Sequence, residues 1–452
     1  MIYNDATGHD LSATDAAAVR AWDRTLNAFL AHGAATPVHL QETLDADPDF
    51  ALAWAAKGLF YLLLGRSELV PVARDALAKA HASAAIVPLT PRELVYIDAL
   101  EHYLSGRMRR AAALLDDHLI AHPADTLAMK LVQAIRFVLG DRQGMLASAS
   151  QVLPAYGIDH PHRGYVLGCL AFAHEEAGDY IEAERLGRAG LEIAPDDAWG
   201  LHAVAHVYDM TARNDDGVRW LETQSDAWAH CNNFGVHVWW HLALFYLDKG
   251  DYAHVLHLYD TKIRAEHTDD YRDVANGASM LVRLEIEGVD VGTRWDELAE
   301  ICANRVDDGL VIFADLHYLL ALQGGERDFA ADKLITQISA SAQKTDHDMH
   351  EVAAIAGLPI ATGLAAFRAG HYGVAHELLR QGNHEAQIVG GSHAQRDVFQ
   401  RIMVEAAIRN GDWCGAERDL KARTTARGAE DGYTARRLER IGRLRAASVA
   451  AE

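Results

Sequence analysis

Residues 236–252, VHVWWHLALFYLDKGDY, decide the fold of this chain. Counted from the first of them, a bulky side chain stands at position 4, a small one at 8, an aromatic one at 11 and a glycine at 15: Trp239, Ala243, Tyr246 and Gly250. Apolar residues at this spacing share one face of an α-helix. The stretch therefore predicts an amphipathic helix that ends at a glycine turn and packs against a second helix.

The glycine turn recurs along the chain. Gly178, Gly250, Gly370 and Gly411 are each followed two residues later by an aromatic residue, and Gly106 belongs to the same series. The intervals from Gly106 to Gly178 and from Gly178 to Gly250 are equal, and each is about twice the 34-residue period of tetratricopeptide repeats, which are helix pairs. The pattern predicts an all-α chain of tetratricopeptide-like helix pairs without a sheet.

The repeat frame also predicts where the first helix of each pair begins. These starts lie near residues 51, 92, 126, 164, 198, 236, 356 and 397, with a less regular one near 313. We expect a single helical-repeat domain over 1–452, with regular repeats in 15–260, irregular repeats in 261–350, and C-terminal repeats plus a capping helix in 351–452. Such pairs stack into a strongly curved α-solenoid, whose concave wall is lined by positions 2, 5, 9, 12 and 13 of the first helices.

The composition narrows the classes of partner. The chain has 42 Lys and Arg against 64 Asp and Glu, a net charge of −22, which opposes binding to nucleic acid or to an anionic membrane. The four cysteines are far apart, and the N-terminus lacks the pattern of a secretory signal. We expect a cytoplasmic protein with neither a nucleic-acid nor a membrane partner, in which the Arg-rich stretch from Arg418 to Arg445 forms a solvated capping helix.

Two histidine pairs carry the strongest chemical signal. His202 and His206 fall at positions 5 and 9 of the helix predicted from 198, and His237 and His241 at positions 2 and 6 of the next first helix. Imidazoles four residues apart lie on one helical face, which is a zinc-binding spacing. Either pair alone is typical of packed structural histidines, but both pairs on successive first helices indicate a shared ligand or metal ion. Because no Glu follows His202, the metalloprotease helix that carries its own base is excluded.

Neighbouring residues extend the candidate site. Glu175 is a candidate general base, or half of a solvated pair with Glu176, and Tyr165 is a candidate donor to a substrate oxygen. Asp209 and Met210 follow the first histidine pair and are candidate ligand-binding residues.

Two later segments contribute further candidates. Asp315 and His317 could complete a metal shell with the four histidines. After two glycines, Ser392 and Gln395 form a capping box that starts a helix, and Arg396 and Asp397 then stand where a helix N-terminus could bind an anion. Capping is the commoner role for such residues.

The chain resembles the tetratricopeptide repeat protein 38 family from about residue 15 to 440. The resemblance rests on ordered strings: Asp197-Ala198-Trp199 leading into 202–207, His237 with 240–241 and 249–252, 279–284, Asp315 with His317, and 390–399. It implies an α-helical repeat fold and draws attention to both histidine pairs and to Asp315, His317, Arg396 and Asp397. It implies no particular substrate.

The predicted wall favours a pocket over a peptide groove. Adaptor grooves tend to carry Lys, Arg and Asn that clamp a peptide, whereas this wall carries His, Tyr and acids. The leading hypothesis is a His-rich pocket for a small molecule, with zinc or another divalent metal assisting hydrolysis by lowering the pKa of a bound water. The alternative is a non-enzymatic adaptor that binds a peptide or protein. Both hypotheses allow a homo-oligomer, and the pocket hypothesis also allows a site without a metal.

Overall fold

Helices form in the segments whose apolar residues recur at helical spacing between two turns. The computed structural model describes residues 3–451. Its α-helices are α1 (Ala16–Leu30), α2 (Thr36–Ala46), α3 (Ala51–Leu62), α4 (Val70–Ala84), α5 (Pro91–Leu104), α6 (Met108–Ala121), α7 (Thr126–Val138), α8 (Arg142–Val152), α9 (Arg163–Glu176), α10 (Tyr180–Ile193), α11 (Ala198–Met210), α12 (Asn214–Glu222), α13 (Phe234–Lys249), α14 (Tyr252–Leu258), α15 (Tyr271–Ile286), α16 (Arg294–Ala303), α17 (Ile312–Gly324), α18 (Asp328–Ser341), α19 (Asp348–Val352), α20 (Leu358–Arg368), α21 (Tyr372–His384), α22 (His393–Arg409), α23 (Trp413–Arg427) and α24 (Gly432–Ala451).

The remaining elements are short. Within residues 3–451 the only strands are β1 (Tyr3–Asn4) and β2 (Asp10–Leu11), an antiparallel pair in which Tyr3 lies opposite Leu11. Single turns of 3-10 or π helix lie at Ser67–Leu69, Leu153–Ala155, Ser225–Trp228, Tyr259–Ile263, Ala353–Gly357 and Ala386–Val389. The all-α helical-repeat prediction is confirmed, apart from this one small ladder.

Most predicted helix starts are correct to within two residues. The starts predicted near 51, 92, 126, 164, 198, 236 and 313 correspond to α3, α5, α7, α9, α11, α13 and α17. The start predicted near 356 is wrong, because that helical stretch already begins at Asp348 and passes through the π turn before α20. The helix predicted near 397 begins at His393, where Ser392 and Gln395 form both bonds of the predicted capping box.

The glycines of the recurring turns adopt a backbone conformation that other residues rarely adopt. The five glycines of the series have positive φ angles, from 73° at Gly106 to 86° at Gly178. Gly58 has a different role, because a Cβ atom there would overlap the side chain of Leu100. It occupies position 8 of its repeat, so the small residue expected there lets α3 and α5 approach closely.

The described residues fall into two compact units. The first consists of 1–204, 226–235 and 345–350, and the second of 205–225, 236–344 and 351–452. In the first unit, Leu167, Phe172 and Leu186 belong to a buried cluster between α9 and its neighbours. The sequence expectation of a single cooperative domain over 1–452 remains a prediction.

One continuous helical stretch, Asp348–Arg368, is long and apolar enough to cross a membrane by length and composition, with a mean hydropathy of 1.4. Half of that window is buried inside the protein, and α20 packs against α17, α18 and α21. A core helix of a helical-repeat protein passes the same test, and its contacts make α20 one of the packed helices.

The C-terminal arginines of the second unit are buried in ion pairs. Arg423 donates to Asp397 at 2.6 Å and to Asp431 at 2.8 Å, and Arg401 donates to Asp397 at 2.6 Å. Arg427 donates to Asp209 at 3.0 Å. The expectation that this stretch is solvated is wrong for Arg423, Arg427 and Arg437, since each of the three is at most 6% exposed.

These ion pairs predict how the protein responds to the loss of one carboxylate. Asp397→Asn removes one of the two carboxylates that pair with Arg401 and Arg423 and leaves only Asp431, which costs about 3 kcal/mol of unfolding free energy at neutral pH. Burial alone would raise the pKa of Asp397, but Arg423 and Arg401 outweigh it and hold the pKa well below 3.8. The stabilisation is therefore complete above about pH 4 and is lost as the pH falls further.

Urea titrations at neutral and acidic pH test this expectation. The matched control is Asp307→Asn, which removes an exposed pair with Lys333 and should leave the midpoint unchanged. An Asp397→Asn midpoint equal to that of the control at neutral pH would contradict the role of the buried network.

Candidate metal and ligand site

Three histidines converge inside the second unit. His206 on α11 and His237 and His241 on α13 each offer a ring nitrogen, and these atoms lie within 4.8 Å of one another. The ring centres of His206 and His241 are 4.4 Å apart, and those of His237 and His241 are 4.7 Å apart. His206 and His241 are fully buried, and His237 is 8% exposed. Three imidazoles at these separations are a donor set that suits zinc.

Asn276 on α15 orients the second of these histidines. Its Oδ1 lies 2.9 Å from Nδ1 of His237 and accepts the ring proton there, which leaves the lone pair on Nε2. His241 Nε2 lies 3.2 Å from that Nε2 and donates to it. Metal-binding histidines are commonly fixed in this way by an oxygen acceptor on the opposite ring nitrogen. Asn276 therefore holds the His237 ring in one orientation, and no pattern in the sequence pointed to this residue.

Burial keeps the two α13 rings uncharged. It lowers the pKa of His237 to about 3, with a smaller contribution from His206, although the hydrogen bond with Asn276 opposes the shift. Burial also lowers the pKa of His241 well below its usual range, with His206 and His237 adding to the effect. Neutral imidazole is the form that binds a metal, so no proton has to leave either ring at pH 7.

Asn276 and Arg283 place two further polar groups in the interior of α15. Asn276 Nδ2 is buried and lacks a hydrogen-bond partner in the described part of the chain. Arg283 is fully buried, donates to the carbonyl oxygens of Ser279 at 3.0 Å and Ala394 at 2.6 Å, and lies 5.5 Å from the Trp240 ring. Burial lowers the pKa of Arg283 to about 9. The one sequence signal for Arg283 is its place in the string 279–284.

The first unit holds three of the predicted site residues. His202 lies one turn before His206 on α11, and its ring packs 5.7 Å from Phe172. Tyr165 donates its hydroxyl to Asp196 at 2.9 Å, and burial raises the pKa of that hydroxyl. Glu175 is fully buried, so the alternative of a solvated pair with Glu176 is wrong.

Asp315 and His317 do not converge on the three histidines. Residues two apart on a helix point about 200° away from each other, so α17 separates these two side chains. His317 donates from Nδ1 to the carbonyl of Phe313 at 2.7 Å, and its Nε2 is buried without a hydrogen-bond partner among residues 3–451. Burial, together with Asp308, raises the pKa of Asp315 to about 7. Neither residue belongs to the groups of metal-ligand atoms found within 4.8 Å.

The remaining candidates hold the structure together. Asp209 and Met210 both contact Arg427, whose Nη1 lies 3.7 Å from the Met210 sulfur. Arg396 donates to the carbonyl oxygens of Gly390 and Gly391, so it closes the turn before α22. The Asp397 carboxylate lies in the first turn of this helix and accepts hydrogen bonds from Arg401 and Arg423. All four residues therefore make contacts that stabilise the fold.

Comparisons with known proteins add little to this picture. No family model matches the chain. Among solved structures, the chain is similar to a chain in the structure of Naa15/Naa10 bound to HypK-THB, with a TM-score of 0.25 and 11% identity. The match covers 90% of this chain and 63% of the length of that chain.

The raised pKa of Asp315 predicts a pH-dependent effect of its removal. Because the folded-state pKa of about 7 lies above the unfolded value of 3.8, the neutral carboxyl stabilises fully below pH 4 and this contribution is lost as the pH rises to 7. Asp315→Asn should therefore unfold at a higher temperature than wild type at pH 8 and at a similar temperature near pH 4. Thermal melts at both pH values test it, and lower stability of the variant at pH 8 would contradict it.

Proposed function

We propose that the second unit binds one divalent metal ion, of the zinc class, through His206, His237 and His241. The observation that carries this proposal is the convergence of three buried ring nitrogens within 4.8 Å. Burial disfavours the charged form of both α13 histidines, which removes competition by protons. Three protein ligands are typical of catalytic zinc sites, which keep one position open for water or substrate.

We further propose that this site binds a small molecule and hydrolyses it. A bound zinc ion would act as a Lewis acid on water or on a carbonyl. His237 would be held in one tautomer by Asn276, and the buried Nδ2 of Asn276 would donate to a substrate oxygen. We also propose that the chain is related to the tetratricopeptide repeat protein 38 family, which the ordered sequence strings support. A cytoplasmic location is part of the same proposal, and four free cysteines support a reducing compartment.

The alternative function is an adaptor that holds a peptide or protein. Adaptor surfaces need side chains that a partner can reach, whereas His206, His241 and Asn276 are at most 1% exposed. The buried cluster therefore favours an internal site. Protein that contains no metal and binds a peptide would support the adaptor instead.

Metal content tests the proposal directly. Elemental analysis of protein purified without a polyhistidine tag should find about one zinc ion per chain, since one such site is present. His206→Ala and His241→Ala should each lose the zinc ion. His384→Ala should retain it, because that side chain is 82% exposed and belongs to neither group of metal-ligand atoms. Equal, substoichiometric metal in wild type and all three variants would defeat the metal proposal.

Asn276 offers a second and more graded test. Asn276→Ala should weaken zinc binding by about 10- to 100-fold, because His237 loses the acceptor that fixes its ring. Asn276→Asp keeps an oxygen at this position and should restore most of the affinity. Competition with a zinc chelator measures both, and an affinity unchanged in Asn276→Ala would show that the outer partner has no role.

Hydrolysis is tested on the same proteins. A panel of ester, amide and phosphoester substrates should reveal turnover that is lost on chelation, returns with zinc, and is absent from His206→Ala. Zinc bound at full stoichiometry with no turnover on any class of substrate would leave a structural metal site and contradict the hydrolase.

A further inference from the structure

The first unit contains an aromatic cluster that the histidine site does not use. The ring of Trp199 on α11 lies 4.6 Å from Phe172, 5.5 Å from Phe234 and 5.8 Å from Phe137. Phe172 is buried, whereas Trp199, Phe137 and Phe234 are only half-buried. We call these four side chains the Trp199 cluster. Its three half-buried rings present aromatic surface that the protein itself does not cover.

The cluster is held by backbone contacts within the first unit. Phe234 stands at the end of segment 226–235, which is tied to the turn after α1. There, Ala34 N donates to His230 O at 3.0 Å, and Asn232 N donates to His32 O at 2.8 Å. The ring of His32 stacks 4.4 Å from Phe234. The position of Phe234 beside Trp199 is therefore fixed by this segment and not by helix packing alone.

A buried lysine lies against this cluster. Lys130 on α7 is 5% exposed, and its Nζ lies 5.1 Å from the centre of the Trp199 ring. Its hydrogen-bond partner is the thiol of Cys169, at 3.9 Å. Residues 3–451 supply no carboxylate within ion-pair distance of Lys130. Lysine is rarely buried without a charged partner, so this ammonium group stands out.

Another lysine in the same unit shows the ordinary arrangement. Lys79 lies over the ring of Trp54, with Nζ 4.3 Å from the ring centre. Its charge is balanced by Asp75, at 2.9 Å. Lys57 also lies over the Trp54 ring, at 5.1 Å, so three lysines of this unit contact an indole, and Lys130 is the one that is buried. Lys130 is thus a buried ammonium group without an ion-pair contact in the described residues.

Asp197 is a buried carboxyl whose charge interacts with that of Lys130, although no ion-pair contact joins the two. It is 1% exposed, and its Oδ2 is buried without a hydrogen-bond partner in the described chain. Burial raises the pKa of Asp197 to about 7, although Lys130 opposes the shift. Burial thus weakens Asp197 as a counter-charge for Lys130.

We propose that the Trp199 cluster and Lys130 bind an amphipathic organic anion, with the aromatic or apolar body of the ligand on the half-buried rings and its carboxylate, phosphate or sulfonate on Lys130. Charge complementarity selects this class, because an anionic group can make the ion-pair contact that Lys130 lacks. The site lies wholly in the first unit, so it does not depend on the proposed metal.

A pair of fluorescent probes that differ mainly in charge tests the proposal. The full-length protein is titrated with 1-anilinonaphthalene-8-sulfonate, an aromatic anion, and with N-phenyl-1-naphthylamine, its uncharged analogue. Wild type should bind the anion at one site and at least about tenfold more tightly than the neutral probe. Equal affinity for the two probes, or no saturable binding of the anion, would overturn the proposal.

Matched variants assign the effect to Lys130. Lys130→Met should abolish the preference for the anion, Lys130→Arg should keep it, and Lys79→Met should behave as wild type. Circular dichroism and thermal melts establish that each variant is folded. If Lys130→Met does not fold, Lys130→Gln takes its place. An unchanged preference in the folded neutral variant would overturn the proposal.

His206→Ala separates this site from the proposed metal site. The variant should lose zinc and keep the anion preference, since Lys130 and the Trp199 cluster are unaltered. If wild type and all variants lack zinc but still prefer the anionic probe, the metal proposal is defeated and the anion proposal is not.

Discussion

The close approach of paired helices is the constraint on which the rest of the structure depends. At Gly58 against Leu100 and at Gly217 against Phe245, an added Cβ atom would overlap the facing side chain. Within the first unit, Gly187 meets Val204 in the same way, at 2.6 Å. Where a small residue occupies the crossing point, the helix axes come together and the bulky residues of each helix fill the space on either side. The first helices then carry polar side chains into surroundings from which water is largely excluded.

Polar groups in such surroundings need partners, and the two units meet this need differently. In the second unit, neutral histidines form bonds to one another and to Asn276, and the C-terminal arginines pair with Asp397, Asp431 and Asp209. Each of these groups is desolvated, so its chemistry is set by the few atoms around it. In the first unit, Lys130 has an indole and a thiol beside it. A buried ammonium group without an ion-pair contact and a cluster of buried imidazoles both cost folding free energy, and ligand binding is a physical reason for a protein to keep them.

The candidate sites also differ in the ligand they can accept. A metal ion needs little room, and the fully buried His206 and His241 are compatible with an ion held between ring nitrogens. An organic anion needs uncovered surface, which Trp199, Phe137 and Phe234 still present. Burial thus separates an ion-sized site from a surface that a larger molecule can reach.

The sequence by itself determined the helical class, the glycine turns and most helix starts, because these depend on interactions within about one turn of the chain: side-chain spacing, backbone conformation and capping. It also placed His237 and His241 on one face of α13. Only the tertiary structure decided what those residues meet. Asn276 lies 39 residues from His237 along the chain, and Arg423 lies 26 residues from Asp397. The same holds for Lys130, whose lack of a carboxylate is a property of three packed helices and not of its own segment. Asp315 and His317 looked like one site in sequence, yet helix geometry sets them on different faces, since proximity along a chain does not determine direction in space.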